Sequence, residues 1–410
     1  MKALIIAGGV PQIELIKQLK ERGITTVLAD GSPKAVARPY ADIFYHVNIF
    51  DIPAVREIAE KEKVDFLITV CADQVLLVVA EVSEMLGLPC YIDYKTAQDV
   101  SDKIRMKRLF KETGIPTTDY VETDKLDYDA IQKLQYPLVV KPVDAYSSKG
   151  VRKAVNREEL EQYYAEAQKI SRSGGVIVEE FFEGEEISVD AFVVDGKAHV
   201  LTVTNSDKIK YKDRFVIFRG RYPTHISDAL FREIENIAQK VADAFGLVNA
   251  PVLIQLLHNG EQVSVLEICA RTGGNMKWLL IKHSCGVDVI SATIDITLGL
   301  TPDLEKHDTG NRIVVNDFIY CKPGVFDHFE GFDEMVAQGY INEFYPTRIK
   351  GTEFFGANNS GDRIAGMNIV AGSVEEFNEK ERIILQSVKA IDTDGNDMIR
   401  RDLLPRLEEA

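Results

Sequence analysis

The sequence predicts an α/β protein in three parts: a parallel sheet with helices on both faces, a larger α/β body, and a small α+β segment at the end. Three observations predict it. Strand-like and helix-like apolar patterns alternate through the first hundred or so residues. From Asp99 the texture changes to a charged helix followed by short strands and hairpins. The last stretch holds further short strands and a well-capped helix pattern. Part boundaries are expected near residues 100 and 300.

Lys2–Ala7 is an apolar run ending in Gly8-Gly9, and Ile13, Ile16 and Leu19 then recur at helical spacing until Gly23. Thr25–Ala29 and Asp65–Val70 read as further strands of the first sheet. Val75, Val78, Val79 and Val82 mark a helix that stops at Gly87. The tight turn at Gly8-Gly9, with Asp30 beyond the second strand, falls short of a dinucleotide fingerprint because the third glycine is missing. A turn that touches a substrate carboxylate is the preferred reading.

In the body, Ser101–Thr117 is a charged helix with Ile104, Leu109 and Phe110 facing inward, stopped at Gly114. Leu138–Lys141 is a strand ending in lysine and proline, followed by the small-residue loop Val143–Gly150. Val176–Phe182 is a strand, and Glu186–Val194 pairs with the strand after the Asp195-Gly196 turn. A helix carries Ile234, Ile237, Val241 and Phe245, and Val252–Leu257 and Gln262–Cys269 form a hairpin around Asn259-Gly260. Ile313–Tyr320 and Ile364–Ala371 are late strands, and the final helix starts after Ser373.

Length and composition bound the function. The 410 residues suffice for two or three domains, and the 45% hydrophobic and 27% charged content is ordinary for a globular chain. A net charge of -16 excludes a general nucleic-acid binder, while local lysines and backbone N–H groups can still hold phosphates. The most apolar stretch, Phe66–Ala80, is interrupted by Asp73 and Gln74 and is too short to span a membrane. The N-terminus runs straight into a strand, without a signal-peptide pattern. Five widely spaced cysteines, an odd number, fit reduced thiols and a cytoplasmic location.

The chemistry-bearing residues lie in order along the body. Lys103 and Lys141 stand on separate elements, and a serine-containing loop follows Lys141. An acidic, aromatic strand runs from Glu179 to Glu186. Gln255 and Glu267 occupy the two arms of a hairpin, with Arg271 just beyond. Phosphoryl transfer needs such parts: cations on phosphates, a loop of N–H donors, oxygen ligands for Mg²⁺, and a guanidinium for developing charge.

Four motifs carry a resemblance: Asp102-Lys103 with Gly114-Ile115-Pro116; Pro137–Pro142; Val178–Gly184 with Glu186–Asp190; and Leu266–Gly274. Their order and spacing resemble the ATP-grasp superfamily, nearest to its carbamoyl-phosphate-synthase-like and L-amino-acid-ligase-like members. The resemblance implies a Rossmann-like domain over about residues 1–100 and an ATP-grasp module over 101–300 with a mobile lid near 117–182. A C-terminal segment would cover 301–410. It implies ATP and Mg²⁺ as cofactors, with Mn²⁺ as an alternative, and small-molecule carboxylate and amine substrates. It implies neither a nucleic-acid nor a membrane partner, and homodimers are common for such a body.

Residue by residue, the resemblance puts Lys103 and Lys141 on ATP phosphates. Ser147, Ser148 and Gly150 would form the loop over them. The backbone of Glu179, Glu180, Phe181 and Phe182 would read the adenine edge, and Glu186 the ribose. Gln255 and Glu267 would be metal ligands, with Cys269 replacing a usual asparagine and left out of the metal set. Arg271, together with Lys141, would be catalytic, stabilising charge on the transferred phosphoryl group. The implied activity is an ADP-forming carboxylate–amine ligase acting through an acyl phosphate. The rival readings are a bicarbonate-activating carboxylase and a decayed nucleotide sensor. Lys208, Lys210 and Arg219 sit in a basic stretch that either meets the acceptor or is solvated. Trp278, the sole tryptophan, either lines a substrate pocket or fills the core, and His283 reads as a core or rim residue.

Overall fold

The computed structural model describes residues 1–145, 149–274 and 276–408. Strands Lys2–Ile6, Thr25–Asp30, Ile43–His46 and Phe66–Ile68 form a parallel sheet in the spatial order third, second, first, fourth. Helix Val10–Glu21 buries Ile13, Ile16 and Leu19, with Pro11 in its first turn, where a missing N–H costs nothing. Helix Asp73–Leu86 buries the valines that the sequence marked and ends at Gly87 in the left-handed conformation. The edge strand Ile43–His46 was not legible in the sequence, because it buries none of its side chains fully. The Asp30 carboxylate accepts the Gly8 and Ser32 N–H groups at 2.6 Å each, so it closes the turn instead of offering itself to a ribose.

The body is one eight-stranded sheet. Its strand order is Val263–Cys269, Ala250–His258, Glu185–Val194, Lys197–Lys208, Ile217–Tyr222, Ile313–Tyr320, Arg363–Ala371 and Glu343–Pro346. Three strands after residue 300 therefore continue the sheet that carries the hairpin, while Glu353–Phe354, Gly324–Glu330 and Lys389–Asp392 form a separate three-stranded sheet in that order. Its register sets Gln255 beside both Ser188 and Glu267. Helix Asp228–Ala244, capped by Ser227, covers one face through Ile234, Ile237 and Val241. A separate four-stranded sheet is built from Tyr120–Thr123, Val176–Glu180, Leu138–Pro142 and Arg152–Ala154 in that order. Helix Arg157–Ile170 closes its small core with Leu160, Tyr164 and Ala167. No helix among the described residues is long and apolar enough to cross a membrane.

Arg219 lies on the strand Ile217–Tyr222 and is buried, facing neither an acceptor nor solvent. Its Nε donates to Asp317 at 2.5 Å, one Nη donates to Glu381, and the other donates to the Pro405 carbonyl at 2.8 Å. This cluster ties the sheet to the helix Val374–Ser387 and to the chain beyond it. Two buried carboxylates share one guanidinium. Burial first, and then the Asp317 charge, holds the Glu381 carboxyl above the usual carboxylate range. A carboxyl raised in the folded state contributes stability that is complete below its unfolded pKa and is lost as pH rises through the folded one. Glu381→Gln, which mimics the protonated acid, should cost less than about 1 kcal/mol at neutral pH and flatten the alkaline decline in stability. Asp317→Asn should cost about 3 kcal/mol, because it leaves the buried cation short of a counterion. Urea unfolding midpoints across pH check both, and equal costs would contradict this account.

Candidate active site

Glu179 sits on the central strand of the small sheet, opposite Tyr120 on one side and Val139 on the other. Its carboxylate is 3% exposed and takes two lysines. The Lys141 Nζ lies 2.7 Å from one oxygen and the Lys107 Nζ 2.8 Å from the other. Burial pushes the Glu179 carboxyl up, but the two ammonium charges outweigh it and hold it at about 2. Burial lowers Lys107 to about 8, against the pull of Glu179. Lys107 escaped the sequence reading. Its only signal was its place one turn after Lys103 on the same helix face, beside Met106 and Phe110, which prove to be the buried residues there.

Between this sheet and the body lies a cavity of about 290 Å³, lined by Val139, Phe181, Phe182, Phe215, Leu257 and Leu266 and edged by Lys103, Lys141, Glu186 and Glu267. Phe181 stacks on Phe215 with centroids 6.3 Å apart, and the Lys153 Nζ sits 3.5 Å from the Phe181 ring centre. The backbone expected to read a base is partly engaged within the sheet. Glu179 pairs on both sides, the Glu180 N–H donates to Asp119 at 3.0 Å, and the Phe181 N–H donates to Pro137 at 2.9 Å. These donors are not available to an adenine, and Glu179 offers a charge, not a backbone edge. Glu186 accepts from Gln255 at 3.3 Å and pairs with Lys208 on the cavity wall. Lys208 thus belongs to this cavity.

A second cavity, of about 490 Å³, opens where the carboxyl end of the parallel sheet meets the body, and its wall includes Asp73, Gln74, Ser188, Arg271 and Lys277. Arg271 grips Asp73 with Nε at 2.5 Å and an Nη at 2.6 Å. Burial raises the Asp73 carboxyl, and the guanidinium more than offsets it, leaving the acid ionised. Lys277 is 4% exposed, contacts Thr204, and has its Nζ 3.9 Å from Asp190. Burial lowers the Lys277 pKa and raises that of Asp190. Neither residue was assigned a role from the sequence. Cys71, in this wall, and Met276, beside it, are non-glycine residues at φ 59° and 57°, the kind of backbone strain that collects at functional sites.

Lys103, Gln255 and Glu267 line both cavities. The Lys103 Nζ donates to the Ala145 carbonyl at 2.9 Å and lies 3.5 Å from Glu267. The amide oxygen of Gln255 and the carboxylate of Glu267 are hard donors on adjacent strands. No group of three or more His, Cys, Asp or Glu residues able to hold a metal exists among the described residues. The pair therefore fits Mg²⁺ only in the mode in which phosphates and water supply most ligands. The Cys269 thiol is buried and pushed well above its ordinary pKa by burial, so it stays neutral and adds no ligand. Ser147 and Ser148 lie outside the described residues. Gly150 lines neither cavity; at φ 76° it packs against Pro142 and Ile170, so it serves the turn. The His283 Nε2 lies 3.0 Å from Glu343, away from both cavities.

Residues 134–278 match the ATP-grasp domain family. The chain is similar to the carbamoyl phosphate synthase large chain of Clostridium acetobutylicum, 23% identical over 79% of this chain and 31% of that one. It is similar to the formate-dependent phosphoribosylglycinamide formyltransferase of Shewanella frigidimarina, 27% identical over 66% of this chain and 68% of that one. It thus spans less than a third of the synthase it matches. Among solved structures, the L-amino acid ligase of Bacillus licheniformis superposes with a TM-score of 0.82 at 19% identity, covering 96% of this chain and 98% of that one. That likeness shows the fold.

The Glu179 carboxyl, lowered in the folded state, contributes stability that is present above its unfolded pKa near 4.5 and is lost as pH falls toward about 2. Glu179→Gln should cost about 3 kcal/mol at pH 7, because it strands two buried lysines, and should remove this acid-dependent component. Denaturant unfolding at pH 7 and acid titration followed by circular dichroism test it; an unchanged acid profile would contradict the assignment.

Proposed function

Since the chain carries an ATP-grasp domain, we propose that it is an ADP-forming carboxylate–amine ligase. The carrying observation is the wall shared by two unlike cavities, one aromatic and one charged, which meet at Lys103, Gln255 and Glu267. ATP enters the aromatic cavity with its base between Phe181, Phe182 and Leu257 and its phosphates toward Lys103 and Lys141. The carboxylate substrate enters the charged cavity. The two therefore meet where Glu267 and Gln255 would hold Mg²⁺, which supplies charge neutralisation to the phosphates when bound.

One carboxylate oxygen attacks the γ-phosphorus, the bond to the bridging oxygen breaks, and ADP leaves with an acyl phosphate remaining. The neutral amine then forms the C–N bond, the C–O bond to phosphate breaks, and the amine loses its proton. Arg271 stands at the charged cavity to face the developing charge, and its bond to Asp73 fixes its plane in advance. The segment from about residue 117 to 182 acts as the lid, which keeps water from the acyl phosphate. A decayed sensor is disfavoured by the intact set of Lys103, Lys141, Glu267 and Arg271.

ADP and phosphate release from Mg·ATP should require both a carboxylate and an amine, and Arg271→Ala should lower kcat by about 100-fold or more. A coupled assay across amino-acid pairs measures this. AMP and pyrophosphate as products, or ADP release with bicarbonate and no amine, would overturn the reading.

A further inference from the structure

A buried ammonium stands next to the aromatic cavity without lining it. Lys107 is 1% exposed and lines neither of the two larger cavities, whereas Thr118, Lys141 and Glu179 line the aromatic one. The Lys107 Nζ lies 2.8 Å from one Glu179 oxygen and donates to the Thr117 hydroxyl at 2.5 Å. The Thr118 hydroxyl, 3.4 Å from the same Nζ, donates to that Glu179 oxygen at 3.3 Å. The Thr117 hydroxyl donates in turn to the Val265 carbonyl at 2.9 Å, and the Val265 N–H donates to the Pro116 carbonyl at 2.7 Å. Val265 stands two residues before Glu267 on the strand Val263–Cys269. Lys107 thus joins three parts of the chain: the helix Lys103–Thr113, the hairpin strand that carries Glu267, and the small sheet that carries Glu179 and Lys141.

Packing alone does not account for a lysine here. Met106 and Phe110, its neighbours on the helix, are buried in an apolar core, and a buried ion pair adds little stability over apolar side chains of the same size. What the lysine supplies is charge. Glu179 faces two ammonium groups, one on each oxygen, so the three groups together carry one net positive charge. Without Lys107 the carboxylate would neutralise Lys141 outright. Lys141 is the cation of the three that reaches the cavity wall.

We propose that Lys107 is a positioning residue for nucleotide binding. By occupying one oxygen of Glu179, it limits the hold of that carboxylate on Lys141, so the Lys141 ammonium can turn its charge to an incoming phosphate. Glu179 remains the tether that keeps Lys141 in place before the nucleotide arrives. The proposal rests on the reading of the aromatic cavity as the ATP site. It concerns the phosphates alone; the base, against Phe181, Phe182 and Leu257, takes no part in it.

Isothermal titration of the full-length protein with MgATP and with adenosine, without carboxylate or amine, separates the two contributions. Lys107→Met should weaken MgATP by about tenfold or more and leave adenosine within about twofold. Lys107→Arg, which restores a cation, should recover part of the loss. Adding Glu179→Gln to Lys107→Met returns the three positions to one net positive charge, and should bring MgATP back to within about threefold of the unsubstituted chain. A residue that only supported the fold would weaken both ligands, and the double variant would bind no better than the single one. Equal losses for MgATP and adenosine, or no recovery in the double variant, would overturn the proposal. Where Lys107→Met alone does not fold, the double variant decides: a preference for MgATP over adenosine lowered by about tenfold or more there would overturn it as well. An unsubstituted chain that binds no MgATP removes the ATP-site reading and this proposal together. Saturable MgATP binding that Lys107→Met leaves unchanged removes the proposal alone.

Discussion

The bidentate pair between Arg271 and Asp73 is the contact on which the site depends. The partners are 198 residues apart, one at the carboxyl end of the parallel sheet and one just past the body hairpin. Asp73 opens the helix Asp73–Leu86, where the helix dipole already favours an acid. A planar fork on a carboxylate fixes orientation as well as distance. The pair thereby ties the two sheets at the charged cavity, alongside the apolar core that they share.

Charge compensation runs through the rest. Lysines and an arginine with little solvent contact would be costly alone. Each at the two larger cavities stands against a carboxylate, and Glu179 serves Lys107 and Lys141 together. The site is thus rich in cations while locally near neutral, which is how a chain of net charge -16 can offer a place for phosphates. An arriving polyphosphate would compete with these carboxylates for the lysines, so the resting pairs hold the cations in place until then.

Three cavities share wall residues: Lys103, Gln255 and Glu267 between the first two, Ser360 between the second and third. Their characters differ: an aromatic slot, a charged chamber, and a mostly apolar chamber whose wall includes Arg348 and Arg363. The turn at Gly9, the body sheet and the C-terminal strands each supply a wall.

The sequence by itself determined the elements and the chemical identities. Period and caps located the helices that end at Gly87 and Gly114 and the helix after Ser373, and Asn259-Gly260 located the hairpin. The hairpin register then sets Gln255 beside Glu267. These are local properties, fixed by backbone sterics and by which face of an element is apolar. Only the tertiary structure decided who neutralises whom. Nothing near Asp73 points to Arg271, nothing near Lys107 points to Glu179, and Arg219 read as either an acceptor contact or a solvated cation, whereas the sheet buries it between Asp317 and Glu381. The physical reason is range: propensity acts over a few residues, whereas an ion pair forms wherever packing brings two charges together and excludes water.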